Sequence, residues 1–319
     1  MKILIIRLSS LGDIILTQPV CAVLQKKYPG CEIHYLCKPE YDDLPALFTS
    51  PVKVIPYAKN LQFHLELSKT HYDLVLDLHA KLASYLVMLF CNGKRKVVYD
   101  KQRSLRKAIV AGKTRASIDS TVSLYFSALK KLGIQDTWQY PQLLSSELVD
   151  SDKRNTVKQI ACFPGATHNT KRWPIEHWVE LINSLPQYDF TLLGSKGDRY
   201  LCKEITDQCG SNCRSKAGED GFAALYARLQ GYEIIISGDT GPMHLAAATG
   251  KPQISIFGGT HPRLGFKPLN PRAIVLSEEL SCQPCSLHGL EKCPQGHFSC
   301  MKSITPQKVK AAIQKILVS

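Results

Sequence analysis

Residues 2–13, KILIIRLSSLGD, decide the fold, because an apolar run leads into a short loop that contains glycine. Residues 2–8 are rich in Ile and Leu and predict a buried strand, and the apolar pattern over 14–27 predicts a helix. Short apolar runs then alternate with longer amphipathic ones, which is typical of βα units in parallel sheets. The sequence therefore predicts an α/β protein.

The chain contains two series of such units, and its 319 residues suit two domains of average size. Further strands are predicted at 31–37, 52–56, 73–78 and 96–99, and in the second half at 159–163, 189–193, 233–237 and 252–257. Residues 140–156 are polar and irregular, as in a linker. We therefore predict two doubly wound domains, 1–150 and 151–319. The last helix, about 305–317, carries an apolar stripe that is expected to pack across the domain boundary.

Composition narrows the class of protein. The net charge of +13 indicates an acidic partner, such as nucleic acid, an anionic membrane face or a phosphorylated small molecule. No apolar run reaches the roughly 18 residues of a membrane-spanning helix. Arg7 and Asp13 interrupt any signal-peptide core, and the twelve cysteines are mostly scattered, as in a reducing compartment. We expect a cytoplasmic protein.

Ligands of open α/β sheets bind beyond the carboxyl ends of the strands, so the loops that follow strands are the candidate sites. In the first, SSLGD at 9–13, Asp13 is either a helix cap or a carboxylate that takes part in chemistry. The second, PGATHNTKRWP at 164–174, brings Thr167 and Lys171 close in sequence and is either a diphosphate site or a solvated basic loop.

The third loop follows the apolar run EIIIS and reads GDTGPMHLAAATGKP, residues 238–252. Asp239, Thr240 and Gly241 form the turn, and a small-residue helix follows whose first amides attract an anion. His244 lies one turn into this helix and is either a structural histidine or a phosphate ligand. The dinucleotide and P-loop fingerprints are both absent from the loop.

Together these segments resemble the inverting glycosyltransferases of family 9, the lipopolysaccharide heptosyltransferases. The resemblance spans nearly the whole chain and rests on segments in the family's order: KILIIRLSSLGD, DLVLDLHAKLAS (73–84), PGATHNTKRWP, LLGSKGD (192–198), SGDTGPMHLAAATGKP followed by IFGGTHP, and a cysteine segment that begins CQPC.

The resemblance implies a GT-B architecture, in which two Rossmann-like domains face a central cleft. It implies that the second domain binds an ADP-sugar donor and that the first binds the lipopolysaccharide core acceptor, a phosphorylated glycolipid. Asp13 matches the general base. The implied donor contacts are Thr167, Lys171, Asp198, Asp239, Thr240, Gly241 and His244. No metal or other cofactor is needed in this scheme.

The cysteine segment contains Cys282, Cys285, Cys293 and Cys300, with two histidines between them. Four thiolates within nineteen residues are able to bind zinc tetrahedrally, although the spacing is not that of a zinc ribbon. The alternatives are a loop of packed thiols or a disulfide formed on oxidation.

Much of the positive charge lies in one segment, residues 94–115, whose net charge is +8. Its cations are Lys94, Arg95, Lys96, Lys101, Arg103, Arg106, Lys107, Lys113 and Arg115. We interpret the segment as a contact for the acceptor and for the anionic inner face of the cytoplasmic membrane, with a solvated charged face as the alternative.

Two other functions remain open from the sequence. A nucleotide-sugar epimerase or hydrolase of similar fold would use the same donor loops without a lipid acceptor. A nucleic-acid-binding protein would explain the basic composition, but no helix-turn-helix, RRM or zinc-finger pattern is present in the sequence.

Overall fold

The computed structural model describes residues 1–144 and 157–318, so most of the predicted linker at 140–156 lies outside the described residues. The contacts group the chain into two compact units. The first consists of Met1–Arg103 and Asp119–Leu144, and the second of Ser104–Ile118 and the described residues of Ser145–Ser319. Residues 104–118, which the sequence analysis placed in the first domain, thus belong to the second unit.

The first unit contains a five-stranded sheet in the order β3-β2-β1-β4-β5, and the paired strands are all parallel. In chain order, the strands and helices of residues 1–144 are β1 (Lys2–Ile6), α1 (Leu11–Ile15), α2 (Gln18–Lys27), β2 (Glu32–Cys37), β3 (Lys53–Pro56), α3 (Leu61–Ser68), β4 (His71–Asp77), α4 (Leu82–Phe90), β5 (Asn92–Val98), α5 (Arg103–Val110) and α6 (Thr121–Lys130). All of α5 except its first residue belongs to the second unit.

The second unit contains a six-stranded parallel sheet in the order β11-β10-β9-β6-β7-β8. Its further elements are β6 (Gln159–Phe163), α7 (Ile175–Asn183), β7 (Asp189–Leu192), α8 (Arg199–Thr206), β8 (Cys213–Ser215), α9 (Phe222–Leu229), β9 (Ile234–Gly238), α10 (Gly241–Ala248), β10 (Gln253–Phe257), β11 (Ala273–Ser277), α11 (Ser299–Lys302) and α12 (Pro306–Val318).

The local sequence explains why these elements form where they do. Ile3 to Ile6 are completely buried, as expected for a central strand covered on both faces. The helix predicted over 14–27 is instead two helices, because α1 ends at Ile15 and α2 restarts with Pro19 in its first turn. Proline has no amide hydrogen to donate and is therefore tolerated at the start of a helix, where that amide has no partner.

Each sheet has a point where the strand order reverses, and this point fixes where a ligand binds. In the first unit the chain moves from β1 to β2 and β3, and then returns to place β4 on the other side of β1. In the second unit it moves from β6 to β7 and β8 before β9 pairs with the other side of β6. The loops after β1 and β4, and those after β6 and β9, therefore flank the expected ligand crevices.

The last helix packs within the second unit. Val309, Ala312 and Ile313 of α12 are buried in the same hydrophobic core as Trp178 and Ile254. The stripe covers the sheet and α7 of its own unit. The expected packing across the domain boundary stays a prediction.

The α/β class and the two parallel sheets predicted from the sequence are confirmed. Among the described residues, no helix has the length and apolar character that are needed to cross a membrane.

Candidate active site

Asp13 lies at the reversal point of the first sheet, in the helix that follows β1. Its Oδ2 atom is 2.5 Å from a guanidinium nitrogen of Arg7, whose side chain is only 7% exposed. The Tyr125 hydroxyl donates to Oδ1 over 3.2 Å. Asp13 also lies three residues after the N-cap Ser10, but the Ser10 amide is 3.5 Å away. The ion pair with Arg7 is therefore the closer contact, and capping alone does not explain this carboxylate.

Arg7 is itself held rigidly in the interior. Its guanidinium donates to the carbonyl of Leu78 over 2.6 Å and to that of Ser9 over 2.8 Å, and it lies 5.5 Å from the centre of the Tyr125 ring. Burial lowers the pKa of Arg7, but the charge of Asp13 and the neighbouring tyrosines outweigh burial and raise it. A permanently charged partner thus fixes the orientation of the Asp13 carboxylate.

The turn after β4 lies at the other side of the same reversal point. The buried Asp77 carboxylate accepts from the amides of His79 and Ala80 and from the Ser84 hydroxyl, each over 2.8 Å. Burial raises the pKa of Asp77. These three bonds hold the turn in a conformation in which Ala80 has a φ of +48°.

His79 in this turn is a neutral histidine. It is 5% exposed, and its Nδ1 atom has no hydrogen-bond partner among the described residues. Burial, together with the charges of Arg7, Lys81 and Lys101, lowers the pKa of His79 to about 3. The ring is therefore uncharged at neutral pH, and it lies within the electrostatic reach of Asp13.

Two cations converge on the same turn. Lys101 donates to the Ala80 carbonyl over 3.0 Å and Arg103 donates to it over 2.7 Å. Burial, followed by the charges of Arg7, Arg103 and Lys81, lowers the pKa of Lys101 to about 8. The first unit thus presents a carboxylate beside a cationic turn, an arrangement that suits an anionic substrate with a reactive hydroxyl group.

The second unit brings its two predicted loops together. Lys171 forms an ion pair with Asp239, with 3.0 Å between Nζ and Oδ2, and both side chains are largely buried. The Thr260 hydroxyl donates to the same carboxylate oxygen over 2.6 Å. Asp239 therefore positions Lys171, and a carboxylate in this role does not itself bind an anion. The donor contact expected of Asp239 stays a prediction, and the structure adds its ion pair with Lys171.

The helix α10 begins beside this ion pair. Thr240 is its N-cap and Gly241 its first residue, and His244 is buried in the first turn and a half. A Cβ atom at Gly238 would lie 2.9 Å from the Lys171 carbonyl, so the two loops touch through their backbones. At this helix start the amides of Thr240 and Met243 already donate to the carbonyls of Gly238 and Thr240, and Pro242 has no amide hydrogen. The Gly241 amide and the Lys171 ammonium are therefore the candidate donors to a diphosphate.

Two predicted donor residues have other surroundings. Thr167 is exposed in the loop after β6, whereas the neighbouring Thr170 is buried and bonds to Leu290. The Asp198 carboxylate accepts from the amide and the hydroxyl of Ser195 over 2.8 and 2.7 Å. Asp198 thus stabilises the start of a helix, and any ribose contact would be additional to this role.

The cysteine segment contacts the loop after β10. Cys285 donates its amide to the Gly259 carbonyl over 3.0 Å. Cys282 lies 3.9 Å from the nearest ring nitrogen of His297, and burial raises the pKa of Cys300 to about 11. Within residues 1–144 and 157–318, no three Cys, His, Asp or Glu side chains converge as metal ligands.

The basic segment is divided between the two units, in contrast to the single patch expected. Arg106 is 8% exposed, donates to the Leu264 carbonyl over 3.3 Å and stacks 4.8 Å from the centre of the Phe266 ring. The Ile118 amide donates to the Arg263 carbonyl over 2.9 Å. Arg106 is therefore a packing residue of the second unit, because its guanidinium has an aromatic ring to cover.

The sequence singled out Asp13, Lys171 and the start of α10, but it assigned no role to Arg7, Tyr125 or His79. Lys101 entered only as one of the nine cations of the basic segment. The signal for His79 was present in the segment DLVLDLHAKLAS, which the family order singled out without a site residue. Tyr125 had no such signal, because it is 112 residues from Asp13 in sequence.

Two units, each a parallel sheet flanked by helices, have the fold of the GT-B class of glycosyltransferases. The chain belongs to glycosyltransferase family 9 (heptosyltransferase), whose model matches residues 61–292.

Known heptosyltransferases are similar to this chain over nearly its full length. Lipopolysaccharide heptosyltransferase 1 of Pseudomonas aeruginosa is 26% identical over 89% of this chain and 86% of that protein. Lipopolysaccharide heptosyltransferase 2 of Escherichia coli is 26% identical over 100% of this chain and 99% of that protein. The solved ADP-heptose lipopolysaccharide heptosyltransferase II of E. coli has a TM-score of 0.79 at 23% identity, covering 100% of this chain and 99% of that chain.

Proposed function

We propose that this enzyme transfers a heptose or a related sugar from an ADP-sugar to the lipopolysaccharide core, with inversion at the anomeric carbon. The family match and the names of its full-length relatives support the sugar and the acceptor. The observation that carries the proposal is the ion-paired Asp13 carboxylate at the reversal point of the first sheet. The first unit would bind the acceptor and the second the donor.

Asp13 acts as the general base in this proposal. The carboxylate removes the proton of the acceptor hydroxyl as its oxygen attacks the anomeric carbon, on the face opposite the leaving diphosphate. Arg7 and Tyr125 hold the carboxylate in place while it accepts the proton. A positioned base of this kind contributes roughly 10²- to 10⁴-fold to the rate.

The leaving diphosphate is stabilised by the second unit. Lys171, the Gly241 amide and His244 take up the negative charge that develops, and Asp239 keeps the ammonium of Lys171 aimed at it. Thr167 and Thr240 add hydroxyl donors, and Asp198 is the candidate for a ribose contact. We propose that transfer needs no metal or other cofactor, because these groups supply the positive charge.

The acceptor is a phosphorylated glycolipid, and the cations near the Ala80 turn match its charge. Lys101 and Arg103 bond to the turn after β4, which lies at the same end of the first sheet as Asp13. They would hold an acceptor phosphate or carboxylate. Residues 94–96 carry three exposed cations and would contact the anionic inner face of the cytoplasmic membrane. We therefore propose a cytoplasmic enzyme that associates peripherally with that membrane.

The test is acceptor-dependent release of ADP from ADP-heptose. We expect release only when a lipid-linked core acceptor is present, and we expect nuclear magnetic resonance of the product to show inversion. Turnover without an acceptor would identify an epimerase or hydrolase and contradict the proposal. Salt-sensitive binding of DNA or RNA without any sugar transfer would contradict it as well.

A further inference from the structure

Helices α3 and α4 of the first unit expose an unusual amount of apolar surface. Among the large apolar side chains that the described residues expose, seven lie on these two helices, with Leu82 at 76% and Leu89 at 73% exposure. The seven are Leu61, Leu65, Leu82, Tyr85, Leu86, Leu89 and Phe90. We call them the α3–α4 apolar surface.

The seven side chains form one continuous surface because of helical periodicity. In α4, positions 82, 85, 86, 89 and 90 repeat at intervals of three and four and lie on one face, opposite the buried Ser84 and Val87. Leu61 and Leu65 are one turn apart on α3. The ring of Phe90 lies 5.1 Å from that of His64 in α3, so the two helices adjoin.

Cations border this surface at both ends of α4. Lys81 is exposed at the N-cap, and Lys94 and Lys96 follow the C-terminus. Arg95 between them points to the other face of the sheet, where it donates to the Lys131 carbonyl at the end of α6 over 2.7 Å. The Lys96 ammonium donates to the carbonyls of Met88 and Cys91 over 2.6 and 2.7 Å, which fixes its charge beside Leu89 and Phe90. Residues 78–99 contain no acidic side chain. On α3, Glu66 is already paired with Lys69.

An apolar face bordered by cations fits the interface of an anionic bilayer. The apolar side chains enter the acyl region while the lysines contact the lipid phosphates. Helices of eight and nine residues are too short to cross a bilayer and therefore lie in its surface. A protein partner of ordinary composition would meet a cationic rim with no acidic counterpart, whereas anionic lipid supplies that charge everywhere.

We propose that the α3–α4 apolar surface inserts into the headgroup region of an anionic membrane and docks the enzyme there. This docking deepens the proposed function, on which it rests for the lipid-linked acceptor. It assigns the membrane contact to an apolar surface of the first unit that the charge pattern did not identify. The cations around it provide the preference for anionic lipid.

Vesicle co-sedimentation of the full chain tests this docking. The unmodified protein should pellet with mixed phosphatidylglycerol and phosphatidylcholine vesicles and remain in the supernatant with pure phosphatidylcholine. The double variant Leu82→Ser/Leu89→Ser should bind at least about tenfold more weakly, since each leucine loses its transfer into an apolar phase. The matched control is Tyr200→Ser, which removes a side chain 81% exposed on α8 of the second unit and should bind unchanged.

Unchanged binding of the leucine variant, or no binding by the unmodified protein, would overturn the docking. So would a dimer in sedimentation velocity that the leucine variant abolishes while vesicles capture neither form, because the surface would then be a contact between copies. Circular dichroism confirms that the variant folds, and both substituted side chains are mostly solvent-exposed.

Activity separates this inference from the proposed function. With a delipidated acceptor saccharide, the leucine variant should retain the kcat of the unmodified protein, and with acceptor in vesicles its rate should fall. If the unmodified protein transferred sugar to neither acceptor, the proposed function would be refuted. Normal transfer with equal rates for both proteins on vesicles would refute the docking alone.

Discussion

At the scale of single residues, the first unit places a carboxylate and a neutral imidazole in one field of positive charge. Arg7 reaches both, through an ion pair with Asp13 and through its charge on His79. A buried guanidinium needs a counter-ion, and here that counter-ion is the proposed base. The stability of the loop and the position of the base thus depend on the same contact.

Replacing Asp13 by asparagine tests the base. Asparagine keeps the size and the hydrogen-bonding oxygen but cannot accept the proton, so kcat should fall about 10²- to 10⁴-fold. Calorimetric binding of ADP to the second unit should be unchanged. Asp42→Asn, which alters an exposed carboxylate of the same unit, is the control and should keep full activity. A kcat within a few-fold of the unmodified enzyme would exclude Asp13 as the base.

His79 makes stability depend on pH. Its pKa is lowered from 6.5 to about 3 in the folded protein, so between these values the unfolded chain binds more protons. Stability is therefore fully present above about pH 6.5 and is lost as the pH falls toward 3, by roughly 1.4 kcal/mol per pH unit.

The measurement is urea unfolding between pH 7 and the acid limit of reversibility, at roughly half-unit steps. The His79→Gln variant should lose less free energy of unfolding across this range than the unmodified protein. His71→Gln, at an exposed histidine of the same unit, should leave the slope as it was. Identical slopes for all three proteins would contradict the neutral buried state of His79.

At the scale of elements, the site consists of loops that the strand order brings together. The sequence predicted β6 at its observed bounds and located both loops that follow β6 and β9, because apolar runs followed by glycine and hydroxyl residues are local signals. The short polar β8 was missed, since three residues reading CRS have no strand pattern. The partners of Asp13 and Asp239 were missed because they come from distant parts of the chain.

The ion pair between the two donor loops can be removed by replacing either Lys171 or Asp239. Lys171→Ala removes the cation and should weaken ADP binding by roughly tenfold or more, as expected for a charge-assisted bond. Asp239→Asn keeps the cation but releases its orientation, so its effect on ADP affinity should be smaller than that of Lys171→Ala.

Titration calorimetry with ADP compares these two variants. The control is Lys203→Ala, whose ammonium pairs with Asp207 on the surface of the same unit. If Asp239→Asn weakened ADP binding more than Lys171→Ala, Asp239 would be a direct ligand and its orienting role would be wrong.

The cysteine segment leads to a prediction about metal. The described residues bring no three ligands together, so treatment with EDTA should leave the transfer rate unchanged and elemental analysis should find far less than one zinc per chain. Stoichiometric zinc together with loss of activity on chelation would contradict this and support the zinc alternative for Cys282, Cys285, Cys293 and Cys300.

At the scale of the whole molecule, the net charge of +13 serves different purposes in different parts of the chain. Arg106 is buried against Phe266, Lys96 closes the end of α4, and Lys101 and Arg103 surround the Ala80 carbonyl. The sequence could count these cations but could not separate packing from binding, because that distinction depends on burial.

Lys101 and Arg103 belong to the first unit and Arg106 to the second, so replacing these neighbouring cations should have different effects. Lys101→Gln/Arg103→Gln removes two charges beside the Asp13 edge and should raise the acceptor KM about tenfold or more, with the ADP dissociation constant unchanged. Because the pKa of Lys101 is about 8, the acceptor KM of the unmodified enzyme should also rise as the pH passes from 7 to 9.

Arg106→Ala should instead lower the thermal stability, because it removes a buried stacking partner of Phe266. Lys107→Gln, an exposed cation of the same segment, is the control for charge alone. Equal rises in KM for all three changes would show that the segment acts as a diffuse field and not through the Ala80 turn.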